Sequence, residues 1–292
     1  MDLKCFDRSV PLDQLDRAAF KFKHGLLGHP ALTLENLARV LPTLPPQNVM
    51  YSAKLLANGD DFETTFRQRP TEQSLEATIE SIRHSDSYIL VNRPDADPSI
   101  APLFKELLHD VEALMRVRGA GTRAWDPRLF LFIASPNSIT PFHLDRYSTF
   151  LLQFRGSKQI TVFPQWDERV VSHTSREAYM AHADTRLAWS DERDALGTAF
   201  SFSPGEALHI PFAAGHHVRN GPEDVSISLS IIFNTPQTRH WVLAHRWNHW
   251  ARTRLRGLGY RPAPVPHDAW RDVCKSVAWR AVAKAQQITG GR

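Results

Sequence analysis

Three His-x-Asp triplets stand in the sequence: His84-Ser85-Asp86, His143-Leu144-Asp145 and His182-Ala183-Asp184. On a β-strand, residues i and i+2 point to the same side, so such a pair can aim an imidazole and a carboxylate at one point. With a second histidine from elsewhere they form a facial 2-His-1-carboxylate set. That set leaves metal positions open and suits Fe(II) and O2 chemistry. The first and third triplets fall at or near helical patterns, where i and i+2 face different ways. Only His143 and Asp145 sit among strand patterns. The triplet alone is weak evidence, because with 14 histidines in 292 residues about one copy arises by chance.

The elements around this copy read as β. Leu129–Ala134 is an apolar strand. Thr149–Phe154 and Lys158–Phe163 flank Arg155-Gly156-Ser157, which predicts a hairpin. Phe200–Phe202, Ala207–Ile210, His216–Arg219 and Val225–Phe233 follow, punctuated by Pro and Gly. Many short strands with turn signals predict a sandwich or barrel. Trp166–Thr198 is longer and polar, with helical spacing near Ser175–His182, and reads as an insertion. Upstream, helical spacing appears over Leu12–His24, over Leu34–Leu41 with Thr33 as N-cap, at Leu75, Ile79 and Ile82, and from Ile100 to Leu114. Asn48–Lys54 and Ser87–Asn92 read as strands. The expected organisation is a mixed helical region over 1–125, a β core over 126–236 with the insertion at about 166–198, and a helical extension over 237–292.

Residues 239–292 hold nine Arg and two Lys against two Asp, a balance of +9, so of the total charge of +4 residues 1–238 carry −5. The tail is a solvated helical face or a surface for an acidic partner such as nucleic acid. Five of the eight Trp lie there: Trp241, Trp247, Trp250, Trp270 and Trp279. That much aromatic surface implies packing on the barrel or a homodimer through the C-terminal helices. No apolar run approaches the ~20 residues of a membrane span. Cys5 and Cys274, with no signal-peptide pattern at Met1–Val10, read as reduced thiols of a cytoplasmic protein. There is no Gly-x-Gly-x-x-Gly, P-loop, nucleophile elbow or Cys-x-x-Cys.

The segment Thr140-Pro-Phe-His143-Leu-Asp145, then Phe150 through Lys158 to Pro164, then Pro204-Gly-Glu-Ala-Leu-His-Ile-Pro211-Phe-Ala-Ala-Gly-His216-His217-Val218 and Ser226–Ser230, resembles the JmjC/cupin-like family of 2-oxoglutarate-dependent oxygenases. Its asparaginyl and ribosomal-protein hydroxylase branches are included. The resemblance spans about 128–235. It implies an α+β fold with a mainly β core, a double-stranded β-helix (jelly roll), carrying helical additions at both ends. It implies Fe(II) on His143, Asp145 and His216, with His217 as the competing third ligand. It implies 2-oxoglutarate as cosubstrate, anchored by Lys158 and assisted by Thr140, with Ser230 facing it and O2 as co-reactant. His209 reads as a packed histidine. Ala213-Ala214-Gly215 departs from the aromatic residues that many relatives carry before the distal histidine. The implied activity is hydroxylation of a protein, peptide or small molecule with release of succinate and CO2. Two other readings stay open: a metal-binding cupin-like sensor or regulator without turnover, whose basic tail contacts nucleic acid, and a metal-using cupin enzyme that does not need 2-oxoglutarate.

Overall fold

The computed structural model describes residues 2–52, 56–67 and 75–289. In chain order the elements are β1 (Phe20–Lys23), α1 (Leu34–Val40), β2 (Val49–Ser52), α2 (Phe62–Arg67), α3 (Leu75–Ser81), β3 (Tyr88–Asn92), α4 (Ala101–Arg118), β4 (Trp125–Ala134), β5 (Ile139–Leu144), β6 (Ser148–Arg155), β7 (Lys158–Val162), α5 (His173–Met180), β8 (Thr198–Phe202), β9 (Glu206–Ile210), β10 (Gly215–Asn220), β11 (Ser226–Asn234), α6 (Pro236–Arg254) and α7 (Ala269–Thr289). The strands form two sheets in the orders β1-β9-β6-β11-β4-β3-β2 and β5-β10-β7-β8. Every pairing is antiparallel. Leu151 of β6, Ile160 and Val162 of β7, Phe202 of β8, and Leu208 and Ile210 of β9 close the space between the sheets. This is a jelly roll.

Strand β11 shows how one sequence serves two layers. All nine of its residues are buried. Ile227, Leu229, Ile231 and Phe233 point one way, and Ser226, Ser228, Ser230 and Ile232 the other, as the period of two requires. The apolar set joins Leu129, Leu131 and Ile133 of β4 and Leu103, Leu107, Val111 and Leu114 of α4 in the largest core. The serine face turns into the barrel. Burial of each of these aliphatic side chains stabilises the fold by roughly 1.5–3 kcal/mol. Thr33 caps α1 as expected, its Oγ1 accepting from Asn36 N at 3.2 Å. The expected strand at Asn48–Lys54 forms as β2, and its last two residues lie outside the described ones.

Two local expectations are corrected. Leu12–His24 is not a helix: a short 3-10 turn at Leu12–Gln14 precedes β1. The alternation Phe20-Lys-Phe-Lys23 overrides the helical spacing, because Phe20 and Phe22 can then bury beside His209 and Phe150 while both lysines face out. Nor do β6 and β7 form a hairpin. Both edges of β6 are taken, by β9 and β11, and β7 pairs with β10 and β8 in the other sheet. Arg155-Gly156-Ser157 therefore crosses between sheets. Gly156 has φ +63°, and a Cβ there would lie 2.7 Å from Val225 O, so glycine is required.

The tail packs α6 against α5 and α7. Trp241 meets Trp166 and Phe212, with ring centroids 5.3 and 5.9 Å away, and Trp247 lies 5.1 Å from Trp250. Trp270 is exposed. Among the described residues no helix is long and apolar enough to cross a membrane.

Candidate metal centre

Strands β5 and β10 are neighbours, and their register sets His143 directly opposite His216. Asp145 stands one residue past the end of β5. Candidate ligand atoms of these three side chains lie within 4.8 Å of one another, the one such cluster of three His, Cys, Asp or Glu among the described residues. His216 Nε2 is 3.9 Å from Asp145 Oδ2. The other two triplets join no such cluster.

Each imidazole is oriented by the backbone. His143 Nδ1 is 2.7 Å from Pro141 O and His216 Nδ1 is 3.0 Å from Ala214 O. A carbonyl can only accept, so both Nδ1 atoms carry the proton and both Nε2 lone pairs are free for a metal. Burial, reinforced by the adjacent His216, pushes the His143 imidazole down to about 3, which keeps it neutral. Phe62 of α2 stacks on the His143 ring at 4.6 Å. Asp145 Oδ2 accepts from Thr149 Oγ1 at 2.7 Å, and Asp145 O accepts from Ala213 N at 3.1 Å. The carboxylate is thereby oriented by β6, and the backbone of Asp145 is tied to the turn that carries His216.

The choice between the adjacent histidines follows from register. The β5–β10 pairing shifts between His216 and Val218. His217 points away from the cluster, its Nε2 2.7 Å from Asp194 Oδ1 and its ring against Trp189. His209, fully buried, holds Thr149 O through Nδ1 and accepts Asp16 N at Nε2, which is a packing role. The small residues of the 213–215 turn also have a cause. A Cβ on Gly215 would lie 2.7 Å from the Phe142 ring, so the aromatic bulk beside the distal histidine comes from β5.

The three side chains line a cavity of about 180 Å³ between the sheets. Lys158, Thr140 and Ser230 line it too, as does Tyr88. Lys158 is 4% exposed, and its Nζ has no hydrogen bond or ion pair among the described residues. Its contact is the Phe132 ring, 5.9 Å away. Burial lowers its pKa to about 7. Thr140 Oγ1 donates to Tyr88 Oη at 3.3 Å. Tyr88 escaped the sequence reading: its strand was legible, but its inward direction depends on pairing with β4. Arg146, which pairs with Glu63 and donates to Tyr179 O, also reaches the cavity and had no signal in the sequence. The donor set, two imidazoles presenting Nε2 and a carboxylate, fits a divalent transition metal such as Fe(II). The uncompensated ammonium in the same chamber fits an anion reaching past that metal.

Residues 46–239 match the family described as a cupin-like domain. A search of the curated proteins finds no match. Among solved structures, the X-ray structure of Escherichia coli YcfD is similar with 15% identity and a TM-score of 0.48, covering 92% of this chain and 63% of that one. The structure of YcfD, a ribosomal oxygenase from Escherichia coli, in complex with cobalt and 2-oxoglutarate has 14% identity and a TM-score of 0.48, covering 91% and 61%. This chain thus spans about three fifths of the length of those chains. With the family match extending over about two thirds of its residues, the chain belongs to the cupin-like domain family.

Proposed function

We propose that the chain is an Fe(II)- and 2-oxoglutarate-dependent dioxygenase that hydroxylates a protein, peptide or small-molecule substrate and releases succinate and CO2. The observation that carries this reading is the pairing, in one small chamber, of a His-Asp-His cluster with a buried lysine that has no counter-charge. A metal alone would explain the first feature and leave the second costly. A dicarboxylic 2-oxo acid answers both, with one end for the metal and one for the ammonium.

In this reading His143, Asp145 and His216 hold Fe(II), which supplies O2 activation coupled to decarboxylation of the 2-oxo acid. The chain's own residues do the rest. Pro141 O and Ala214 O fix both imidazoles in the tautomer that presents Nε2. Thr149 orients the Asp145 carboxylate. Lys158, held in its ammonium form by the negative charge of the bound anion, would fix the far carboxylate, and Thr140 and Tyr88 stand beside it as hydroxyl partners. The apolar walls from Leu151, Ile210 and Val218 exclude water from the reacting centre. Asp145, with 26% of its side chain exposed against 5% for His216, marks the side open to a substrate.

The test is anaerobic addition of Fe(II) and 2-oxoglutarate to purified apoprotein. A visible metal-to-ligand charge-transfer band is expected, and Asp145→Ala should abolish it while the protein stays folded. A folded wild type that gives no band would remove the cosubstrate from the reading. A band that survives Lys158→Met at unchanged 2-oxoglutarate affinity would remove the lysine's role.

A further inference from the structure

A second cavity, of about 480 Å³, shares no lining residue with the first. Four stretches of chain enclose it: the N-terminal turn at Leu15–Arg17, the end of α4 with Gly119 and Ala120, Gln165 and Trp166 after β7, and the start of α6. Its size falls within the about 300–1,000 Å³ usual for small-molecule sites. It lies behind the turn that carries His216, since two of its lining residues grip Phe212. Asp16 Oδ1 accepts from Phe212 N at 3.2 Å, and Gln165 Nε2 donates to Phe212 O.

The lining has a consistent chemistry. The exposed Arg17 and the half-buried Arg118 both line the cavity, and neither side chain forms an ion pair or hydrogen bond among the described residues. The Nε of Arg118 is enclosed and meets no acceptor. A guanidinium keeps its proton and its donors, so an enclosed N–H with no acceptor is an unmet demand. Trp166 and Trp241 supply flat apolar walls, their rings 5.3 Å apart and nearly perpendicular. The one acidic group in the lining is Asp16. Its Oδ1 is taken up by Ser148 Oγ at 2.6 Å and by Phe212 N, and burial raises its pKa. Even with Asp16 ionised the cavity keeps a net positive charge.

We propose that this cavity is a second ligand site, built for a small organic anion: a carboxylate or phosphate held by Arg118 and Arg17, on a flat apolar body lying against Trp166 and Trp241. Planar guanidinium forks match both head groups, and the indole faces favour a flat body over a chain. The site is separate from the 2-oxo acid chamber and does not depend on the reading of that chamber.

The experiment titrates the folded protein with benzoate and with phenyl phosphate, following tryptophan fluorescence and heat release, with benzamide as the uncharged counterpart. Saturable binding of at least one anion is expected, and whichever binds more tightly assigns the head group. Arg118→Ala should weaken it about tenfold, the effect of one charge-assisted contact, and Arg17→Ala should weaken it in the same direction. Both variants should melt as the wild type does, because neither side chain is paired. Lys158→Met, in the other chamber, should leave the affinity unchanged. Benzamide binding as tightly as benzoate would reduce the cavity to an apolar crevice. Equal affinity in both arginine variants, loss of binding in Lys158→Met, or no binding of either anion would each overturn the proposal.

Discussion

Asp110 and Lys158 are both buried charges, in different regions, and the chain treats them in opposite ways. Asp110 sits on α4 beneath the N-terminal segment, with no exposed surface. Its carboxylate accepts the backbone N–H groups of Lys4, Cys5 and Phe6 at 2.9, 2.7 and 2.9 Å. It staples the first residues onto the core, and its hydrogen-bonding capacity is met from within. Glu177 of α5 is handled alike, held by Arg252 at 2.6 Å and Asn248 at 2.9 Å of α6. Lys158 is nearly as buried, and among the described residues its Nζ has no hydrogen bond or ion pair, with the Phe132 ring 5.9 Å away. A charge closed by its own chain belongs to the architecture. A charge left open in a chamber is placed for something that arrives later.

Asp110→Ala should therefore show the largest loss of stability, upwards of ~4 kcal/mol, because three N–H donors, those of Cys5 and Phe6 buried, are orphaned at once. Urea unfolding measures it, and Asp110→Asn, which keeps one acceptor oxygen, should recover part of the loss. Lys158→Met should behave in the opposite sense. Without ligand at pH 6 the variant should be more stable than the wild type by roughly 1–4 kcal/mol, since an uncompensated buried ammonium is replaced by an isosteric apolar chain. The pH dependence fixes the sign. The Lys158 pKa lies at about 7 in the folded protein and at about 10.4 in the unfolded chain. Between these values the unfolded state binds more protons, so wild-type stability rises relative to Lys158→Met from pH 7 to about 10, and the full penalty is present below 7. Saturating 2-oxoglutarate should raise the wild-type melting temperature and leave that of the variant unmoved. A Lys158→Met that destabilises as Asp110→Ala does would erase the contrast.

The same contrast explains what the sequence made legible. His143 and Asp145 could be singled out because pair spacing and strand context are local, and short strands separated by Pro and Gly predicted a sandwich or barrel, while Lys158 and the jelly roll came from the family resemblance. What escaped depends on long-range pairing. Arg155-Gly156-Ser157 has the local chemistry of a hairpin turn, yet β9 and β11 already occupy the edges of β6. Phe20 and Phe22 continue a helical spacing with Leu12 and Leu15 until a sheet edge at β9 makes alternation worth more. Tyr88 faces the chamber only because β3 joins the sheet beside β4 in one register. Arg118 and Trp241, 123 positions apart, meet across a cavity that no local pattern announces.

Smaller effects sharpen the boundary of the ligand chamber. Tyr88→Phe removes the hydroxyl that Thr140 meets at 3.3 Å, and should weaken 2-oxoglutarate by about 1 kcal/mol, roughly fivefold, without changing metal affinity. The weakest expected effect is at His217, next in sequence to a proposed ligand. Its contact with Asp194, whose side chain is 51% exposed, is screened by solvent, so His217→Ala should change stability by about 0.5 kcal/mol at most. Co(II) added to the His217→Ala protein should give the same visible ligand-field spectrum as in the wild type, whereas His216→Ala should lose it. The prediction rests on the period of two: adjacent residues of β10 face opposite sides, and only one can face His143. A spectrum lost in His217→Ala and kept in His216→Ala would mean that β10 is displaced by one residue, which would also turn Val218 away from the chamber it lines.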